Sequence, residues 1–350
     1  MIPRIEISLS KIRENASHLS QIYADKGISL MGVSKAVLGE PKIAKAMVDG
    51  SVKYIADSRI ENIQKMKAAG ITTPFVLLRT ALSQAELVVQ VADISLNSEM
   101  ETLKKLSHFA QAQNKIHQII VMVEMGDLRE GVLATNLSAF ISEMLSLANL
   151  KLVGLGCNLA CFGGVEPDAH NMLKLSKLAG EIEKEFSLTL ALVSGGNSAN
   201  YNWVHATSEV GKINNLRIGE SILLGCETLS RKPIAGLHLD AFRLVAEVIE
   251  SKVKPSLPSG TIGQDAFGQI PSFKDQGNFQ RVILGLGRQD VDISGLQPEA
   301  NTTILGASSD HIILKAQNQN MQVGDEVNFQ LDYSALLSAM TSPFIKKKFI

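Results

Sequence analysis

From Leu9 to Ile218 the chain alternates amphipathic stretches of helical spacing with short, mostly apolar runs. In the first stretch, Leu9 to Asp25, Ile12, Ala16 and Leu19 recur on one face, and Ser10 can cap its start. The run that follows, Ile28 to Val33, reads as a strand buried on both faces, because such a strand shows apolar residues continuously rather than alternately. The pattern then repeats. Helices are predicted over 41–48, 61–69, 83–91, 98–113, 137–148 and 169–186, the first two closed by Gly50 and Gly70. Between them lie apolar runs at 54–56, 75–78, 94–96, 119–123, 152–155, 190–193 and 215–218. Counting from Ile28, eight strands separated by helices within about 200 residues predict a TIM (β/α)8 barrel. A doubly wound open sheet is the alternative, but no Gly-x-Gly-x-x-Gly opens the first βα turn. Beyond residue 230 the texture changes to strand-like runs at 244–249, 281–286, 303–305, 311–316 and 326–329, broken by Gly, Pro, Asn and Asp. The division expected is a barrel over 1–230 and a C-terminal, mostly β domain over 231–350.

Composition narrows the partners. The chain has 350 residues, 45% hydrophobic and 20% charged, with a net charge of −1. That balance gives no long-range pull toward nucleic acid or an anionic membrane, and points to small molecules or protein instead. No run approaches the length of a membrane span, and the start, Met-Ile-Pro-Arg-Ile-Glu-Ile, has neither a basic leader nor an apolar signal core, so a soluble, cytoplasmic protein is expected. Three cysteines, Cys157, Cys161 and Cys226, suit neither a disulfide framework nor a structural zinc. The closing Lys346-Lys347-Lys348 reads as a solvated tail, and His18, His108, His117 and His170 as surface or core histidines in helix-like stretches.

Three segments carry candidate chemistry. Lys35 stands where the first barrel strand surfaces. A poorly solvated amine there can be a nucleophile, or the residue can simply snorkel from a strand end. Ser194-Gly195-Gly196-Asn197-Ser198-Ala199 follows the seventh strand, and its small residues and hydroxyls suit an anion as well as they suit a tight turn. Asn215-Leu216-Arg217-Ile218-Gly219 has the same form after the eighth strand. A phosphate site after strands seven and eight of a closed barrel neighbours a lysine after strand one, and pyridoxal phosphate needs both. Arg217 can donate to the pyridine nitrogen and never deprotonates, which weakens the ring as an electron sink and suits proton removal and return at Cα.

With these segments the chain resembles, over essentially its whole length, the fold type III pyridoxal-phosphate enzymes, and within them the alanine/ornithine racemase family. The resemblance implies that Lys35 forms the Schiff base, that Ser194, Gly195, Gly196, Asn197 and Ser198 with Gly219 hold the phosphate, and that Arg217 meets the ring nitrogen, where decarboxylases of this fold carry a glutamate. Met125-Gly126-Asp127-Leu128-Arg129-Glu130-Gly131 is similar to the segment whose arginine contacts the phenolic oxygen, which assigns that role to Arg129. The lysine that often supports this arginine falls at Met122, so its support must differ. Tyr333 matches a tyrosine that reaches the phosphate, and Ser309 and Asp310 lie in a stretch like the loop that closes on the active site from the partner subunit, which implies a homodimer with shared sites. Asn158 stands in place of a ring-stacking histidine, and the stretch 260–268 lacks the tyrosine that serves as second base.

Racemisation needs a proton carrier on each face of the substrate. Lys35 supplies one. For the other, Asp265 is the first candidate, provided burial raises its pKa toward neutrality, and Cys157 the second. Asp265 can equally be a turn residue and Cys157 a small buried one. Arg59 and Glu61 line the mouth or cap a helix. The expected function is a racemase of ornithine or another amino acid, alanine being disfavoured by the missing tyrosine. The alternatives are an aldolase or decarboxylase with the same cofactor, and a non-catalytic carrier of vitamin B6, against which the complete β domain weighs.

Overall fold

The computed structural model describes residues 3–299, 302–317 and 320–350. The chain forms two compact units, Leu9–Leu239 and a second made of Met1–Ser8 with Asp240–Ile350.

The chain opens with β1 (Arg4–Ile7), which belongs to the second unit, and α1 (Leu9–Ala24), which begins the first. Then β2 (Ser29–Val33), α2 (Pro41–Asp49), β3 (Tyr54–Asp57), α3 (Ile60–Ala68), β4 (Phe75–Leu77), α4 (Ala85–Val91), β5 (Ile94–Asn97), α5 (Met100–Ala112) and β6 (His117–Glu124) follow in strict alternation. A two-residue strand, β7 (Val132–Leu133), and α6 (Leu137–Leu145) lead to β8 (Leu150–Gly156), α7 (Ala169–Phe186), β9 (Leu192–Ser194), α8 (Tyr201–Ala206), β10 (Asn215–Ile218) and α9 (Glu220–Leu224). The strands pair in parallel in the order β5-β4-β3-β2-β10-β9-β8-β6, and β6 returns to β5, so the sheet closes on itself. This is the (β/α)8 barrel that the alternating runs predict.

Its interior is filled by side chains from the strands, among them Met31, Val33, Ala56, Val76, Leu96, Ile120, Met122, Val153 and Leu192. Closure explains why the strands read as apolar throughout, since one face meets this interior and the other the helices. Arg217 pairs with Met31 across β10 and β2 and so shares its inward face. A guanidinium thus enters a layer otherwise built of apolar groups.

The second unit holds β11 (Phe242–Pro255), β12 (Asn278–Leu284), β13 (Leu296–Pro298), β14 (Thr302–Ala307), β15 (Ile312–Ala316), β16 (Glu326–Leu331), α10 (Tyr333–Thr341) and β17 (Lys346–Phe349). Antiparallel pairing runs β13-β16-β11-β12-β15-β14, with β1 antiparallel to β11 and parallel to β17. Two readings are corrected here. Residues 3–8 belong to the β unit rather than the barrel, and Lys346 to Lys348 form strand β17 instead of a loose tail. The Lys348 ammonium also donates to Glu6, at 3.1 Å, so backbone pairing and charge together place a polar segment in a sheet.

His117 is a core histidine, but it lies in a strand and not in a helix-like stretch. It opens β6 and is buried, with Nε2 2.8 Å from Ser95 Oγ, a hydroxyl that also accepts from Asn97 Nδ2. Burial pushes the imidazole pKa down to about 4 from an ordinary 6.5. The unfolded chain takes up the proton near the higher value and the barrel only near the lower. Stability is therefore complete above the window and falls as pH drops through it, by up to about 3 kcal/mol. Urea titrations above and below the window should show this loss in the natural protein and a smaller one in His117→Gln. An equal loss in both would remove His117 as its source.

Candidate active site

The carboxyl ends of the barrel strands gather the site. At the end of β2, Ser34 is fully buried and its hydroxyl donates to Asp57 Oδ2 at 2.7 Å. Asp57 ends β3, and its other oxygen accepts from the Arg59 amide and Asn62 Nδ2, each at 2.9 Å. Burial holds this carboxyl above the usual range, and those hydrogen bonds oppose it. Asp57, rather than Arg59 or Glu61, therefore organises the start of α3. The pair anchors Ser34, from which the short 3-10 turn that carries Lys35, Lys35–Val37, starts.

Lys35 is exposed at the mouth, yet the strand ends around its amine remove hydration. That desolvation, then the Arg129 and Arg217 guanidiniums, lower its pKa from the ordinary lysine value, while Cys161 and Asp57 pull the other way. Water at the mouth limits the shift. The direction is the one a nucleophilic amine requires.

Arg217 is 5% exposed and donates to Ser194 Oγ at 2.6 Å, to the Cys157 carbonyl at 2.7 Å and to Asn158 Oδ1 at 3.3 Å. Ser194 passes its own proton to Asn215 Oδ1, and Asn215 reaches back to Ser29. None of these acceptors carries charge. Burial lowers the pKa of this guanidinium, yet it remains the cationic floor of the site.

Asn158 uses its oxygen for Arg217 and for Asn197 Nδ2, at 3.2 Å, and its buried amide nitrogen has no partner. Asn197 also caps the turn Ser198–Asn200 and donates to the Leu159 carbonyl. Gly196 has φ of +142°, a conformation side chains rarely adopt, and a Cβ on Gly219 would press on Val33. Ser198 Oγ accepts from the Ser221 amide at 3.3 Å, leaving its proton to donate elsewhere. Lys35, Asn158, Ser194, Gly195, Gly196, Asn197, Ser198, Arg217 and Gly219 thus converge on one end of the barrel.

The other candidates fare differently. Arg129, in the loop after β6, pairs with Glu130 and meets the Cys161 sulfur. Cys157 is fully buried, its thiol donates to the Gly195 carbonyl at 3.2 Å, and burial pushes its pKa up to about 12. It is a packing residue and not a proton carrier near neutrality. Asp265, in the second unit, is exposed and accepts from the Phe267 and Gln269 amides, at 2.8 and 2.9 Å. Those amides hold its pKa below the usual carboxylate range, the reverse of the shift a proton carrier needs, and within one chain the turn reading describes it. Ser309 and Asp310 are exposed in the loop between β14 and β15, and Tyr333 begins α10. Sequence reading passed over Asp57, Asp127 and Glu130. Their signal was position alone, a carboxylate at or just after a strand end.

The donor set fits pyridoxal phosphate. A buried cation without an anion, an orphaned buried amide nitrogen and a glycine-serine loop all await an anionic, heteroaromatic partner, and a depressed lysine stands beside them.

Residues 7–226 match the family model described as alanine racemase, N-terminal domain. The chain is 42% identical to an ornithine racemase of Acetoanaerobium sticklandii, covering 100% of both chains, and 38% identical to a lysine racemase of Thermotoga maritima, covering 99% of this chain and 98% of that one. In fold it is similar to an alanine racemase of Bartonella henselae with covalently bound pyridoxal phosphate, with a TM-score of 0.73 at 18% identity and 100% of both chains covered.

Native alkylation tests the cysteine assignment. Iodoacetamide should modify exposed Cys161 and leave Cys157 intact by peptide mass, and Cys157→Ala should keep turnover within about threefold of the natural enzyme, as a packing change does. Rapid labelling of Cys157, or collapse of turnover in the variant, would contradict its assignment as packing.

Proposed function

This chain belongs to the alanine racemase family, and from that premise we propose that it is a pyridoxal-phosphate-dependent racemase of α-amino acids bearing a side-chain amine, ornithine or lysine. The observation that carries the reading is Arg217, a buried cation with no anionic hydrogen-bond partner among the described residues, at the end of the strand beside the one that presents Lys35. The side-chain class rests on the names of the two full-length relatives and on the missing tyrosine in 260–268.

In this reading Lys35 anchors the cofactor. Arg217 and Asn158 face its ring, Arg129 its phenolic oxygen, and Ser194, Gly195, Gly196, Asn197, Ser198, Gly219 and Tyr333 its phosphate. When bound, pyridoxal phosphate withdraws electrons from the substrate and acidifies its Cα–H bond. The Lys35 amine, its pKa lowered by desolvation, takes the Cα proton on its own face. Arg217, a donor and never an acceptor, would leave the ring nitrogen unprotonated, which would weaken the ring as an electron sink and suit return of the proton at Cα. A second group, on the opposite face, returns it.

That second group and the quaternary structure go together. Leu257, Ile262, Phe267, Ile270 and Phe273 are exposed apolar side chains clustered in sequence around Asp265. Such clustering suits burial by a second copy. A homodimer would exchange the water around Asp265 for protein and raise its pKa, and would bring the Ser309–Asp310 loop to the partner's site. No helix among the described residues is long and apolar enough to cross a membrane, and the proposed location is the cytoplasm.

Exchange of Cα hydrogen in D2O tests the function on a panel of L- and D-amino acids. Both enantiomers of ornithine and lysine should exchange, faster than alanine by on the order of a hundredfold, as expected of a site that pairs a polar side chain. Preference for alanine would overturn the substrate class. Carbon dioxide release without enantiomer interconversion would replace racemisation with decarboxylation.

A further inference from the structure

One buried carboxylate joins the loop after β6 to the loop after β8. Asp127 is 1% exposed, and its oxygens accept from the amides of Phe162 at 2.9 Å, Cys161 at 3.3 Å and Val165 at 3.4 Å. Its backbone carbonyl accepts from the Gly163 amide at 3.1 Å, and Ala160 closes the second loop by donating to the Val165 carbonyl at 2.8 Å. Gly163 is required for this approach, because a Cβ there would stand 2.7 Å from the Asp127 carbonyl oxygen. Amide donors aimed at one carboxylate are what make a buried negative charge tolerable.

Two residues further on lies Arg129. Its Nε and Nη2 donate to the Glu130 carboxylate, and its Nη1 meets the sulfur of Cys161, whose backbone Asp127 has pinned. The guanidinium is therefore held by its own loop and by the neighbouring one. Met122 of β6, an apolar residue packed in the barrel interior, gives it no anionic support. A long side chain on a loop otherwise loses precision to rotamer freedom, and two loops locked together reduce that freedom before any ligand arrives.

We propose that Asp127 is a positioning residue of the active site: it locks the two loops into one body, sets the Cys161 sulfur and, with Glu130, fixes the direction of the Arg129 guanidinium. The clamp stands on geometry alone, while the use made of Arg129, against the cofactor's phenolic oxygen, rests on the function proposed above.

Two readouts separate the clamp from its use. In cofactor-free protein, Asp127→Ala should speed alkylation of Cys161 at least about fivefold by freeing its loop, as local opening does. Asp127→Asn, which keeps an acceptor, should fall between. In cofactor-loaded protein, the pH midpoint of the bound cofactor's visible band should rise by about one unit in Asp127→Ala and in Glu130→Gln, because a displaced cation no longer favours the deprotonated form. Arg129→Ala should shift it the same way, and the Asp127→Ala/Arg129→Ala double variant should shift it no further. Should Asp127→Ala not fold, Asp127→Asn and Glu130→Gln carry both readouts. Unchanged alkylation with an unmoved midpoint, or shifts that add in the double variant, would overturn the proposal. Failure to racemise any amino acid, with both readouts as expected, would overturn the function and leave the clamp standing.

Discussion

A guanidinium buried without a counter-ion among the described residues is the constraint on which this site depends. Arg217 lies on the inward face of the barrel wall and satisfies its donors on a hydroxyl, a carbonyl and an amide oxygen. Taking such a charge out of water is expensive, and neutral acceptors repay only part of it. The hydrogen-bond relay from Ser194 through Asn215 to Ser29 spreads the demand over three strands. Asn158, held by Arg217 on one side and Asn197 on the other, is left with an amide nitrogen that nothing satisfies. The folded chain thus gathers a buried positive charge and an unused donor at one end of the barrel, chemistry that suits an anionic, heteroaromatic cofactor.

The same logic links the lysine to its surroundings. Ser34 and Asp57 hold the turn from below, so Lys35 projects from a rigid strand end and not from a loose loop. Its amine loses hydration to the barrel and feels two guanidiniums, and both lower its pKa from the ordinary lysine value. Rigid scaffolding and a depressed amine are separate requirements, and the end of one strand meets both.

The barrel was readable in the sequence because a parallel strand buried on both faces leaves an unbroken apolar run, and each run is followed by a polar residue or a glycine. Lys35, Arg217 and the Ser194–Ser198 loop stood out at those ends for the same reason. What could not be read has a common cause, dependence on a distant partner. β1 is only four residues long and β17 is mostly lysine, and β1 joins a sheet through distant partners, β11 and β17, that no local pattern names. His117 looked helical until Ser95 supplied its partner. Asp127 and Asp265 are both Asp in loop-like stretches with nearby glycines, yet one is enclosed by amides from another loop and the other accepts from its own turn in water. No local pattern distinguishes them.

The most direct test of the central claim, that Lys35 anchors pyridoxal phosphate at this site, is borohydride reduction of the cofactor-loaded protein followed by peptide mapping. Reduction should leave a single pyridoxyl label on Lys35, and Lys35→Ala should take up none. A label on another lysine, or the same labelling in the variant, would contradict it.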